Sequence, residues 1–338
     1  MRLAAESLGA ECVFSSEIDR HARETYATNF SGDVPAGDVR QVKAGEIPDF
    51  DLLLAGFPCQ PFSYAGSLGG LGDARGTLFI ELLRIMKAKR PRSFLFENVK
   101  GLVSHDRGRT LGTVERLLTE SGYSFGWTVL NSSGFGLPQN RERWYCVGFD
   151  RSRPFQFPAP PGKKTRLADV LEARLRDEGL SLAEPWSRRI DAHLRLAAGA
   201  APRSSKARVE HTDFRFQGES SRSLHGVFSY MKPDRTLRFH MGDAKKTQVQ
   251  EGFFASRESL APTLIAGRVP QLWDLKRKLS VRECARLQGF PASFDFPCSR
   301  AQSYKQLGNA VSVPVIKAIL ENVLAALAQR PAHSKRAA

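Results

Sequence analysis

Cysteine, carboxylate and arginine are the side chains here whose types and spacing could do covalent chemistry. Cys59 lies in Gly56-Phe57-Pro58-Cys59-Gln60-Pro61-Phe62-Ser63, directly after the apolar run 51–55. Prolines on both sides stiffen that loop, and the carboxyl end of a strand is where α/β folds bind ligands. A thiol in that position can serve as a nucleophile once ionised. Cys12, Cys146, Cys284 and Cys298 sit among strand- and helix-forming neighbours and read as small apolar packing residues. No Cys-x-x-Cys pair occurs among the five cysteines, so neither a disulfide framework nor a zinc site is implied and a reducing compartment is expected. Glu97, in Phe-Glu-Asn-Val, and the arginines of Gln139-Asn140-Arg141-Glu142-Arg143 are the other candidates. Without Cys59 upstream, they read better as a surface ion-pair network.

Positioning such groups requires strands and helices in alternation. Short apolar runs at 12–16, 51–55, 93–97, 127–131 and 144–149 are expected strands, and two amphipathic helices are expected between them. Thr77–Lys89 sets Leu78, Leu82, Ile85 and Met86 on one face, and 110–120 does so with Leu111, Val114, Leu117 and Leu118. The pattern predicts a doubly wound α/β domain around a mostly parallel sheet over residues 1–155. Pro- and Phe-rich 154–161 marks a linker. Segment 156–275 has poor periodicity and reads as a smaller, loop-rich domain. Ser280 and Glu283 form a predicted capping box opening a helix over 280–288, and Pro314 opens a final helix over 313–327. Residues 276–328 are thus a return segment that completes the first domain, and 329–338 a disordered tail.

Charge suggests the partner. The 338 residues hold 50 Lys and Arg against 35 Asp and Glu, a net charge of +15, which favours a polyanion such as nucleic acid. Residues 150–275 carry 22 of those bases and 15 of the acids, with Phe214, Phe216, Phe228, Tyr230 and Phe239 interspersed. That mixture suits phosphate and base contact, and equally a solvated surface. No apolar run is long enough to span a membrane and the start lacks a signal-peptide core, so a cytoplasmic protein is expected.

Several motifs, in one order, resemble the DNA cytosine-5 methyltransferases. After the Cys59 loop come Arg75-Gly76-Thr77-Leu78-Phe79 and Phe96-Glu97-Asn98-Val99. The Gln139 to Arg143 run, Arg282-Glu283-Cys284-Ala285-Arg286-Leu287-Gln288-Gly289-Phe290-Pro291 and Gln306-Leu307-Gly308-Asn309-Ala310-Val311 follow. The resemblance implies a Rossmann-like S-adenosylmethionine-dependent domain with a target-recognition domain at 156–275. It implies double-stranded DNA as partner, a restriction endonuclease alongside, and a monomer. Cys59 would add to C6 of a flipped-out cytosine. Glu97 would protonate N3 and Asn98 would hold the loop. Arg143 would meet O2, and Arg141 would bind a phosphate or support the loop. Gln60 and Ser63 belong to the segment that closes behind the base. A non-catalytic DNA-binding remnant and a tRNA cytosine methyltransferase are the alternatives, the long basic segment favouring DNA.

On the cofactor side, a βαβ nucleotide unit needs an acid about 20 residues beyond its glycines to bind ribose. Glu17, after the expected strand 12–16, stands in that place, and Asp38 would meet the adenine amino group. Outside the resemblance both would read as turn residues. Ile18, Val39, Pro58, Leu78, Asn309 and Val311 complete the implied pocket. The family's first strand and Phe-x-Gly-x-Gly loop would precede a segment like Met1 to Gly9, and no such loop occurs in the 338 residues. A start assigned too late in the gene is the favoured explanation, a degenerate remnant the second. Calorimetric titration of the chain as given is expected to show weak or no S-adenosylmethionine binding, and micromolar affinity would refute that.

Overall fold

A computed structural model describes residues 1–57, 77–175, 179–199, 209–211, 227–241 and 249–329. Its helices are α1 (Arg2–Glu6), α2 (Arg20–Asn29), α3 (Thr77–Lys89), α4 (Arg109–Glu120), α5 (Glu184–Gly199), α6 (Val281–Leu287), α7 (Arg300–Asn309) and α8 (Val313–Ala328). Four strands, β1 (Leu52–Gly56), β2 (Ser93–Val99), β3 (Ser124–Asn131) and β4 (Glu142–Phe149), form a sheet in the order β1-β2-β4-β3. β1 and β2 are parallel, whereas β4 runs antiparallel to both β2 and β3. The expected "mostly parallel" sheet is therefore a mixed one, with β4 reversed between two strands of like direction.

Alternation of side chains along the strands makes the sheet two-faced. Phe94, Phe96, Trp144 and Cys146 meet α3 and α4 through Phe79, Met86, Val114 and Leu118. Leu95, Tyr145, Val147 and Phe149 point the other way and meet α1 and α8 through Ala4, Val315, Ile319 and Val323. Both faces being covered, β2 is buried until its last residue. The stretch Arg300–Ala328 is long and apolar enough to pass for a membrane span, but its α8 part spends Val315, Ile316, Ile319, Leu320 and Val323 on this core.

One expected strand is corrected. Residues 12–16 form no ladder; Ser16 makes a single parallel bridge to Ala36, with Glu17 N donating to Ala36 O (2.8 Å) and Ala36 N to Ser15 O (2.9 Å). A strand is stable when hydrogen-bonded along an edge, and this segment has one such contact among the described residues. The outer edge of β1 is likewise unpaired among them, and Leu52 to Ala55 are only half-buried.

The segment expected to be loop-rich holds a second sheet, β5 (Val209–His211), β6 (Val227–Met231), β7 (Leu237–Met241), β8 (Val249–Ala255), β9 (Gln271–Leu272) and β10 (Arg277–Lys278). The order is β10-β9-β8-β7-β6-β5, antiparallel except between β8 and β9. α5 covers one face, packing Trp186 and Ile190 on Leu237, Phe239 and Phe254. Beneath it, Ser229 Oγ lies 2.8 Å from His193 Nδ1 and 2.7 Å from His211 Nε2. The sheet runs to Lys278, slightly past the boundary expected at 275. The tail residues 330–338 lie outside the described residues.

Gly148 on β4 tests the packing. A Cβ there would stand 2.3 Å from Phe94 Cε1 and 3.1 Å from Phe125 Cβ, and Phe94 is itself stacked on Phe96. Gly148→Ala should lower the unfolding free energy by about 1–3 kcal/mol in urea denaturation; unchanged stability would contradict this face of the core.

Candidate active site

The parallel register of β1 and β2 sets Gly56 opposite Glu97, so the strand leading to Cys59 ends beside a carboxyl group. Glu97 is 9 % exposed and stands 3.2 Å from Arg143 Nε, which β4 brings in two residues along the ladder. Burial drives the Glu97 pKa above its usual 4.5. Arg143, Arg141 and the amino group of Met1 oppose the rise without cancelling it. Glu97 is thus a carboxyl able to hold a proton, with a guanidinium alongside. Asn98 faces the other way: its Nδ2 donates to Phe57 O (2.9 Å), while its Oδ1 accepts from Val99 N (2.8 Å). It fixes the backbone just ahead of the Cys59 loop. Cys59, Gln60, Ser63 and Pro58 themselves lie outside the described residues.

Arg141 departs from half of its expected role. It is 2 % exposed, and its guanidinium donates to Leu264 O (2.7 Å), Gly308 O (3.2 Å) and Ala310 O (2.7 Å). Burial lowers its pKa to about 10. A phosphate contact is closed to a side chain so enclosed, and Arg141 instead ties β4 to the residues on either side of Asn309.

The cofactor candidates come together from separate elements. The bridge from Ser16 to Ala36 sets Glu17 and Ile18 next to Gly37, Asp38 and Val39, and Ser16 Oγ donates to Gly37 O (2.7 Å). Asp19 caps α2 and pairs with Lys305 (2.7 Å), which brings α7 and, one turn on, Asn309 to this region. Arg84 Nη2 donates to Val39 O (3.2 Å) and Val42 O (2.8 Å), tethering α3, whose second residue is Leu78. Ile18 is 66 % exposed, Asn309 is exposed, and Val311 and Leu78 are half-buried. The Asp38 carboxylate is held by Arg40, which keeps its pKa below the usual carboxylate range. An acid and exposed apolar surface beside it are of the kind that would suit a ribose and an adenine ring.

Sequence reasoning did not single out Gln288, Ser132 and Ser312, all buried. Nor did it find the Asp19–Lys305 pair, although Asp19 two residues before His21 is a visible helix-cap signal. Polar residues buried by tertiary packing leave no periodic mark.

A family model described as C-5 cytosine-specific DNA methylase matches residues 1–325. The type II methyltransferase M.NlaX of Neisseria lactamica is 40% identical over 317 residues, covering 94% of this chain and 89% of that protein. M.HhaI of Haemophilus parahaemolyticus is 38% identical over 333 residues, covering 98% and 92%. Among solved structures, the Dnmt2 methyltransferase of S. pombe matches with TM-score 0.65 at 18% identity, covering 97% of this chain and 94% of that one. That likeness concerns the fold.

Because the folded state raises the Glu97 pKa, it retains a proton that the unfolded chain has released once pH exceeds 4.5. Stability should fall as pH rises from the unfolded to the folded pKa, and Glu97→Gln should remove that fall. In urea denaturation, the variant should gain on the wild type between pH 5 and pH 8; a constant difference would contradict the raised pKa.

Proposed function

Since the chain belongs to the C-5 cytosine-specific DNA methylase family, we propose that it methylates C5 of a flipped-out cytosine in duplex DNA through a covalent adduct at Cys59. The observation that carries this reading is the buried Glu97 beside Arg143, opposite the end of the strand that leads into the Cys59 loop. The type II names of the relatives support restriction–modification as the setting, with a cognate endonuclease alongside.

Cytosine C5 is too weak a nucleophile to take a methyl group unaided. The Cys59 thiolate forms the S–C6 bond, the C5–C6 π pair shifts to C4–C5, and the C4–N3 π pair moves onto N3. Glu97 delivers its proton to N3, and Arg143 stabilises negative charge at O2. Asn98, bonded to Phe57 O, holds the loop entrance in place for the attack. C5 is then an enamine carbon. S-adenosylmethionine, when bound, supplies its methyl group, with Glu17, Ile18, Asp38, Val39, Leu78, Asn309 and Val311 as the residues that would hold it. Loss of the C5 hydrogen to water and departure of Cys59 restore the ring, and Glu97 recovers the N3 proton. A base stacked in a duplex is out of reach of Cys59, so it must be extruded first. The basic second-sheet region, whose charge attracts phosphates, supports DNA as the partner.

The enamine also takes a proton from water at C5, so the cytosine side can be tested without any methyl donor. Duplex DNA carrying tritium at cytosine C5 should release it to water with the wild-type chain. Cys59→Ala should abolish release, and Glu97→Gln should reduce it about 10²–10⁴-fold. Release that persists in Cys59→Ala would refute the covalent route, and absence of release from the wild type would favour a DNA-binding remnant.

A further inference from the structure

The connection between β3 and β4 leads into Arg143, the second residue of β4, and is held by a buried polar lattice that the chemistry above does not use. Gln139 is fully buried; its Oε1 accepts from Leu264 N (2.9 Å), and its Nε2 donates to Leu287 O and Gln288 Oε1 (both 3.1 Å). Gln288, also fully buried, donates to Leu307 O (2.8 Å) and Ala310 O (3.3 Å). Ser312 Oγ reaches Gln288 Oε1 at 3.3 Å and Ser132 Oγ at 2.6 Å. Two amide side chains therefore link the loop that carries Arg143, the segment leaving β8, the end of α6 and the residues around Asn309.

The lattice has little slack. Backbone bonds run from Asn140 N to Ala261 O (2.9 Å) and from Ala261 N to Pro138 O (2.7 Å). A Cβ at Gly308 would overlap Ala266 N at 2.2 Å, so those two stretches of backbone are in direct contact. A buried amide left unsatisfied is costly, which makes the lattice close to all-or-none. Arg143 sits four residues beyond Gln139, as the second residue of β4; the ladder with β2 fixes its backbone, and the lattice fixes the turn that leads into its end of the strand.

We propose that Gln288 is a positioning residue. It touches neither base nor cofactor, and through Gln139 it fixes the turn leading into the end of β4 that carries Arg143, setting the cytosine side from the same anchor as the Asn309 side. This rests on the proposed function above. Gln288→Leu keeps the bulk and removes the amide; Ser312→Ala is a milder variant that removes only one hydroxyl contact to Gln288. Displacing Arg143 takes away a charge that holds the Glu97 pKa down, so the protonated form persists to higher pH.

The test is the pH profile of tritium release from C5-labelled duplex DNA, without methyl donor, normalised to folded protein. DNA affinity is measured alongside. Ile319→Val, in the core between α8 and the first sheet, is the destabilised control. The proposal expects Gln288→Leu to lower the release rate about 10-fold or more with DNA affinity within about 3-fold of wild type. It expects the alkaline limb to move to higher pH. Ser312→Ala should move it the same way and by less, and Ile319→Val should leave it in place. If either lattice variant folds and keeps the wild-type profile, or if Ile319→Val shifts it equally, Gln288 is structural only and the proposal is overturned. If the wild type itself releases no tritium, the reading of the active site fails, and this inference with it.

Discussion

A carboxyl group withdrawn from water next to a guanidinium is the constraint on which the other features of this site depend. Burial raises the Glu97 pKa because the ionised form loses more hydration than the neutral one. Arg143, 3.2 Å away, limits that rise while staying available as a positive charge at the same point. Moving the arginine away would let the Glu97 pKa rise further. Exposing the pair to water would remove the burial that raises the Glu97 pKa. The covered faces of the first sheet, with Phe96 beneath on one side and Leu95 on the other, keep water from the strand that presents Glu97.

That constraint passes outward through the backbone. Glu97 is placed by the β1–β2 register and Arg143 by the β2–β4 register, so both functional groups sit on rigid ladders. Asn98 extends the order one step further, to the residue just ahead of the Cys59 loop, by bonding Phe57 O. On the far side, Arg141 and the two buried glutamines join β4 to the second sheet and to the return segment. A region that would read DNA and a region that would hold a nucleotide cofactor therefore share one anchor with Glu97 and Arg143.

Much of this was legible in the sequence, for physical reasons that differ by element. Cys59 stood out because a Pro-flanked loop after an apolar strand is an unusual place for a thiol, and the α6 capping box because its two residues are local. α3 emerged from its 3.6-residue periodicity. The second sheet did not, because β9 and β10 have two residues each and β5 three, too short to alternate visibly. The reversal of β4 was hidden because strand direction is set by a connection and its partners. Residues 12–16 have the composition of a strand, but a ladder needs a neighbour, and composition does not supply one. Arg141 was expected at a phosphate or in support of the loop, and only tertiary packing, which leaves no mark in the sequence, encloses it among the carbonyls of Leu264, Gly308 and Ala310.

The account turns on the protonation of Glu97. Following its side-chain carboxyl carbon by carbon-13 NMR as pH is raised, with Glu97→Gln identifying the resonance, measures this directly. The account predicts a midpoint above the usual 4.5, and a further rise when Arg143 is replaced by a neutral residue. A midpoint at or below 4.5 would mean that Arg143 outweighs burial, that the carboxylate is ionised, and that Glu97 cannot be the proton donor.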